Sequence, residues 1–141
     1  MSEESATPGP VEATRNWLEA MDRNWDLDAV MRFFAPDVVW DLSVTALGTL
    51  EGAAAVRGFI ESWWVTWEDH HHYVEEIRDF GHGVVYVQLW EDGRLAGTST
   101  PVEQRNTAVH EWAHGKVVRI TSFGEPRDAR AAAERLAEER G

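Results

Sequence analysis

The chain contains no cysteine among its 141 residues. It can therefore form no disulfide, no cysteine-ligated metal centre and no thiol nucleophile. Basic residues are also few, because 13 Lys and Arg stand against 25 Asp and Glu, which gives a formal net charge of −12. A surface this acidic repels phosphate groups, so we expect neither nucleic acid nor an anionic membrane surface as a partner.

Long apolar runs are missing as well, and no stretch approaches the ~18–20 residues that a membrane span needs. The first ten residues, MSEESATPGP, lack the basic and then apolar pattern of a signal peptide. We therefore expect a cytoplasmic protein. Residues 1–9 are too polar to bury much surface and are predicted to form a disordered tail. Residues 10–141 then form a single domain of ordinary size.

Aromatic residues, in contrast, are plentiful, and the eight Trp follow helical and strand patterns. Spacings of three and four residues predict a first helix from Pro10 and a third helix from Val56 to Trp67, while Asp26 can cap a short second helix. The predicted buried face of the first helix comprises Thr14, Trp17, Leu18 and Met21. Pro126 suits the start of a last helix, whose apolar positions are mostly Ala.

Strand patterns fill the remainder of the chain. The predicted strands are Val38–Leu42, His70–Phe80, Val84–Trp90, Thr98–Trp112 and Lys116–Phe123. Asp92-Gly93 is a frequent hairpin dipeptide and is predicted to end the third of these strands. Helices followed by a run of antiparallel strands indicate an α+β fold. We expect a cone-shaped, curved antiparallel sheet packed against about three helices, with an additional C-terminal helix.

Four strings in the sequence are similar to those of a known family. They are Asn24–Ala29, Phe34–Trp40, Gly52–Val56 and Gly115–Ile120. Together they resemble the SnoaL-like branch of the nuclear-transport-factor-2-like (ketosteroid-isomerase-like) superfamily. The resemblance implies a pocket for a small apolar molecule and a homodimer that pairs through the convex side of the sheet. The residues expected at that interface are Arg105, Thr107, Val109 and Glu111.

The catalytic residues of the family's well-known enzymes are not matched. The positions that carry a Tyr and two Asp in ketosteroid isomerases fall on or near Leu18, Leu42 and Ala108. The Tyr and Asn of the limonene-epoxide hydrolases fall on Trp40 and Leu42. The catalytic His of the polyketide cyclases can be placed only near Ala108 or His110. The resemblance therefore predicts the architecture and leaves the chemistry open.

Strand alternation selects the side chains expected in the pocket. The resemblance places Trp40 and Leu42 on the cavity face, which turns Asp41 to the other face. The same alternation, with Trp63 of the third helix, gives the further expected substrate-binding residues: Gln88, Trp90, Asn106, Trp112 and Ser122. His110 is the first candidate for acid–base catalysis, because imidazole titrates near ~6.5. Tyr86 and Asp41 are the other catalytic candidates.

The run His70-His71-His72 is the one pattern that suggests a metal. His70 and His72 share a strand face at a spacing that suits two ligands of Zn or Fe, with His110 or a carboxylate as a third. The alternative is a solvated strand start that follows Glu68 and Asp69. We expect no bound metal and no organic cofactor.

Two functions remain open at this point. The first is a small-molecule pocket protein that acts as an acid–base isomerase, lyase or cyclase on an apolar substrate with a polar handle. The alternative is a non-catalytic ligand-binding or dimerisation module.

Overall fold

The computed structural model describes residues 8–22 and 26–141. The first seven residues of the expected tail, and Asn24 and Trp25 of the family strings, lie outside these ranges. The helices are α1 (Pro10–Asp22), α2 (Leu27–Met31), α3 (Ala53–Thr66) and α4 (Pro126–Arg140). The strands are β1 (Phe34–Leu42), β2 (Gly48–Glu51), β3 (Trp67–Gly81), β4 (Val84–Leu95), β5 (Pro101–Ala113) and β6 (Lys116–Phe123). None of the described helices is long and apolar enough to cross a bilayer.

The six strands form one curved sheet in the order β2-β1-β6-β5-β4-β3, which does not close into a barrel. The predicted α+β fold, with its C-terminal helix, is confirmed. One pairing differs from the expected antiparallel sheet, because β1 runs parallel to β6 and places Trp40 beside Ile120. These two strands are far apart in the chain, so no hairpin signal reports their relative direction. β2 was not predicted, since Gly48 and Gly52 suggest an irregular segment.

Helices cover both faces of the sheet. The main core lies between the inner face and the first three helices, and includes Trp17, Val56, Ile60, Val87 and Ile120. A smaller apolar cluster forms where α4 lies on the outer face of β4 and β5. The strand β4 is therefore buried on both faces, which explains its nearly continuous apolar sequence.

The outer cluster changes the expected dimer surface. Val109 is fully buried against Ala129 and Ala133 of α4. Glu111 lies 4.0 Å from the Arg140 guanidinium at the end of the same helix. The C-terminal helix therefore covers Val109 and Glu111 within the subunit, and the homodimer itself stays a prediction.

The dipeptide Asp92-Gly93 does not turn the chain. β4 continues to Leu95, and Gly93 pairs with His70 of β3. A Cβ atom at Gly93 would lie 1.9 Å from the carbonyl oxygen of Asp69 and 2.9 Å from the Trp67 ring. The glycine thus permits a close approach of β3 to β4, and the predicted hairpin is wrong.

The turn at His114-Gly115 lies where the sequence indicates. Both residues have positive φ, 53° and 77°, and β6 begins at the next residue. The predicted cap of α2 is also present, because the Asp26 carboxylate accepts a hydrogen bond from the Ala29 amide at 3.1 Å. Pro126 is the first residue of α4.

Candidate functional site

A cavity of about 580 Å³ lies between the inner face of the sheet and the helices α1 and α3. Its size is within the usual range for small-molecule sites, roughly 300–1,000 Å³. Its deeper wall includes Leu18, Ile60 and Leu89, which are buried. Exposed lining residues such as Val44 and Leu47, in the loop between β1 and β2, form part of its rim.

Five aromatic side chains follow one another along the cavity wall: Trp17, Trp40, Phe59, Trp63 and Trp67. We call them the aromatic row. The centroids of successive rings are 6.3, 5.3, 6.2 and 5.4 Å apart, and three of the four pairs meet edge to face. α3 supplies Phe59 and Trp63, whereas Trp17 lies on α1, Trp40 on β1 and Trp67 at the start of β3. The wall therefore suits a flat or elongated apolar ligand.

His110 lies at one end of the aromatic row, 5.2 Å from the Trp17 ring. Its side chain is buried, and burial lowers the pKa of the imidazole to about 3. The ring is therefore neutral at pH 7, and its Nδ1 atom has no hydrogen-bond partner among the described residues. An imidazole with so low a pKa is a poor proton acceptor but a good neutral hydrogen-bonding group.

Glu91 lies at the other end of the cavity and is 5% exposed. Its carboxylate accepts hydrogen bonds from Gln104 Nε2 at 3.0 Å and from Asn106 Nδ2 at 3.3 Å. The Nε2 atom of His70 lies 3.3 Å from the second carboxylate oxygen. Burial alone raises the pKa of Glu91, but the bonds from His70, Gln104 and Asn106 outweigh it and hold the pKa below its ordinary value. The carboxylate is therefore ionised at neutral pH.

The aromatic row connects these two ends. The His70 ring is 4.7 Å from the Trp67 ring, and at the far end the His110 ring is 5.2 Å from the Trp17 ring. Because His110 pairs with Val85 and Glu91 lies six residues farther along β4, the ends are up to about 20 Å apart. The cavity thus has two polar ends and an aromatic wall between them.

Both His70 and His72 line the cavity, and His71 points to the opposite face between Asp69 and Asp92. Burial lowers the pKa of His72, although Asp22, 4.0 Å away, opposes the shift. Within residues 8–22 and 26–141, no three histidine or carboxylate side chains converge as a metal-ligand set. His70 and Glu91 form a carboxylate–imidazole pair.

Three of the expected pocket residues on β4 face away from the cavity. The Tyr86 hydroxyl donates to the Gln88 side chain, which donates to Glu75 at 2.9 Å. The Trp90 ring lies under the Arg105 guanidinium at 5.6 Å. The predicted cavity face of this strand is wrong by one residue. Because α4 buries the second face, both sets of side chains are apolar and alternation does not identify the inner one.

Two further expected site residues have other partners. The Trp112 indole donates to Thr14 within the core and does not line the cavity. Asp41 faces away from the cavity, as alternation predicts, and lies 3.3 Å from the Arg119 guanidinium. Hydrogen bonds from Ser43, with help from Arg119, lower the pKa of Asp41. Its position offers no route to a ligand in the cavity.

The remaining expected site residues do line the cavity, and they are Trp40, Leu42, Trp63, Asn106, His110 and Ser122. Glu91 is the functional candidate that sequence reasoning missed. It is the first charged residue after the uncharged run Val84–Trp90, and an acid directly following such a strand was the available signal. Because the cavity face of β4 was assigned to the wrong set of alternate residues, Glu91 was not expected to face the cavity.

The protein thus has an α+β fold in which a curved sheet and three helices enclose a cavity of a size suited to a small molecule. The SnoaL-like domain family matches residues 14–120, so the chain belongs to that family. A comparison with curated proteins gives no match.

Solved structures show the same fold. An NTF2-like (nuclear-transport-factor-2-like) protein from Burkholderia thailandensis E264 is 22% identical, with a TM-score of 0.71 over 89% of this chain and 97% of the other. A protein from Jannaschia sp. CCS1, named for the SnoaL-like polyketide cyclases, is 17% identical, with a TM-score of 0.70 over 89% and 91%. TerC, co-crystallised with polyporic acid, is 17% identical, with a TM-score of 0.68 over 89% and 98%.

Proposed function

We propose that this protein binds a largely aromatic small molecule in the cavity and transfers a proton on it, as an isomerase, lyase or cyclase does. The observation that carries the proposal is the contact between the buried Glu91 and the half-buried His70 at one end of the aromatic row. Paired titratable groups in an apolar cavity are a common feature of acid–base active sites.

Each polar group has a definite role in this proposal. His70 exchanges the proton, because imidazole is the side chain that ordinarily titrates nearest neutral pH. Glu91, held by Gln104 and Asn106, orients the ring and stabilises the imidazolium that forms when His70 accepts a proton. His110 binds a neutral polar group of the ligand at the far end. The predicted catalytic role of His110 thus becomes one of ligand positioning.

The relatives are compatible with this ligand class. One structural neighbour was crystallised with polyporic acid, and another is named for the polyketide cyclases. The alternative function, non-catalytic ligand binding, is favoured by the apolar residues Leu18, Leu42 and Ala108 at the isomerase positions. All three line the cavity and offer no proton-transfer group.

The experiment measures proton abstraction with and without the imidazole. The substrates are 5-nitrobenzisoxazole, an aromatic probe whose base-promoted ring opening is followed optically, and a panel of aromatic enones. We expect His70→Ala to lower turnover by about 10²–10⁴-fold, the usual contribution of a positioned acid–base group. His71→Ala is the matched control, because this neighbouring ring lies outside the cavity, and it should retain activity. If the wild-type protein binds these probes without turning any over, the binding function replaces the catalytic one.

A further inference from the structure

The end of the cavity around Glu91 is strongly anionic. Three lining residues there carry carboxylates without a Lys or Arg partner among the described residues: Asp22, Glu68 and Glu91. The carboxylate of Asp69, which also borders the cavity, lies 3.7 Å from the Arg94 guanidinium. Of the described lining residues, Arg105 carries the one permanent positive charge. Its guanidinium is exposed and donates to Glu75 outside the cavity, at 2.7 and 3.2 Å. Among the described residues, no Lys or Arg side chain pairs with Glu91, and its titratable partner is His70, 3.3 Å away.

The polar groups at this end are acceptors more than donors. Gln104 and Asn106 each use an amide N–H on Glu91, which leaves their carbonyl oxygens available. A carboxylate that is ionised can only accept hydrogen bonds. A ligand group that binds here must consequently donate hydrogen bonds, and a positive charge on that group gains further energy from the carboxylates.

The His70 ring that contacts Glu91 also packs against two indole rings. Trp63 and Trp67 pack against each other at 5.4 Å, and the His70 ring lies 6.2 and 4.7 Å from them. The face of an indole attracts a cation through its electron-rich π system. A carboxylate beside indole rings in a partly enclosed cavity is a recurrent arrangement for binding an organic ammonium group.

We infer that the ligand of this cavity is an aromatic amine whose ammonium group binds Glu91 at the end of the cavity that Trp63 and Trp67 also line. Its aromatic part extends along the aromatic row toward His110. The inference rests on the proposed function only in taking the cavity as the ligand site. An anionic ligand of the same shape is disfavoured, because its charge lies close to a buried carboxylate.

The test uses three probes that share one naphthalene ring and differ in charge: 2-(2-naphthyl)ethylammonium, 2-(2-naphthyl)ethanol and 2-naphthylacetate. Their affinities for the full chain are measured by titration calorimetry at pH 7. We expect the ammonium to bind about tenfold more tightly than the alcohol, which corresponds to a cation contribution of roughly 1.4 kcal/mol. The acetate should bind more weakly than both.

Glu91→Gln removes the charge and keeps the side-chain shape. It should lower the ammonium affinity about tenfold and leave the alcohol affinity nearly unchanged. Glu134→Gln, on the exposed face of α4, makes the same change of net charge away from the cavity and should alter neither affinity. The ranking of the three probes on the wild-type protein tests the inference even if Glu91→Gln does not fold.

Three outcomes overturn the inference: equal affinities for ammonium and alcohol, tighter binding of the acetate, or no binding of any probe. The catalytic proposal is judged separately, by the turnover of His70→Ala. A protein that binds all three probes alike and still loses turnover in His70→Ala keeps its proposed function and loses only the cationic ligand.

Discussion

The Trp112 indole N–H donates a hydrogen bond to the Thr14 hydroxyl over 3.0 Å, between residues 98 positions apart in the chain. The same hydroxyl donates to the carbonyl of Pro10 at 2.7 Å, so its donor and acceptor are both used inside the core. The bond joins α1 to β5 behind the cavity wall. It holds the helix that carries Trp17 against the strand that carries His110.

Replacing Thr14 tests the energy of that connection. Thr14→Val keeps the shape but leaves the indole N–H of Trp112 buried without an acceptor, which should lower the free energy of unfolding by about 1–3 kcal/mol. Thr66→Val is the control, because Thr66 makes a similar bond to the carbonyl of Ser62 on an exposed helix face. We expect the control to stay within about 0.5 kcal/mol of the wild type. Urea unfolding measures both, and equal effects would contradict the prediction.

A pair of glycines gives opposite expectations for the same substitution. Gly93→Ala places a methyl group against the Asp69 carbonyl and the Trp67 ring. The two strands must move apart to accommodate it, so the free energy of unfolding should fall by several kcal/mol. Gly58→Ala, within α3, meets no atom within 4 Å and should stabilise the protein by roughly 0.5–1 kcal/mol. Thermal unfolding of the two variants checks the signs. A Gly93→Ala variant as stable as the wild type would show that the close approach is misplaced.

The buried imidazole of His110 predicts how stability depends on pH. In the unfolded chain it takes up a proton below its ordinary pKa of 6.5, whereas in the folded protein its pKa is about 3. Stability should therefore fall as pH decreases from 6.5 toward 3, by about 1.4 kcal/mol per pH unit for this group. Above pH 6.5 the group has no effect.

The comparison of pH 7 with pH 5 isolates this contribution. The wild type should lose about 2 kcal/mol more than His110→Leu over that interval, because the variant has no group to protonate in the unfolded chain. His114→Asn is the control, since this exposed histidine lies in a turn with positive φ that Asn tolerates. Urea titrations at both pH values measure the differences. A pH dependence that survives in His110→Leu would assign the loss to other groups.

We also expect a homodimer, as in the family that the chain resembles. Light scattering at micromolar concentration should give twice the 16.0 kDa mass of the chain. Because α4 covers Val109, the subunits must then meet outside the sheet surface that this helix occupies. A particle of 16.0 kDa would refute the dimer.

The order of the elements other than β2 could be predicted because these elements have local signals. Helical spacing marks α1 and α3, Pro126 marks the start of α4, and positive-φ residues mark the turn before β6. The hairpin predicted at Asp92-Gly93 was wrong, because Gly93 permits a close approach to the Asp69 carbonyl that depends on the pairing of β3 with β4. Local patterns do not report such pairings.

The site was predictable only in part for the same reason. On β5, strand alternation counted from the cavity face that the family resemblance gives places Asn106 and His110 on the cavity wall, and both line it. On β4, a helix that comes last in the chain buries Tyr86 and removes the alternation. Glu91 was therefore not selected as a site residue, although its carboxylate is among the least exposed charged groups described.

The aromatic row also has an optical consequence. Indole rings this close exchange excitation energy, and the row contains two such pairs, Trp17 with Trp40 at 6.3 Å and Trp63 with Trp67 at 5.4 Å. A quencher that touches one ring of a pair therefore also lowers the emission of the other. A single bound molecule should therefore quench the emission of more than one tryptophan. The anisotropy of the emission should report whether the rings of the aromatic row remain in contact.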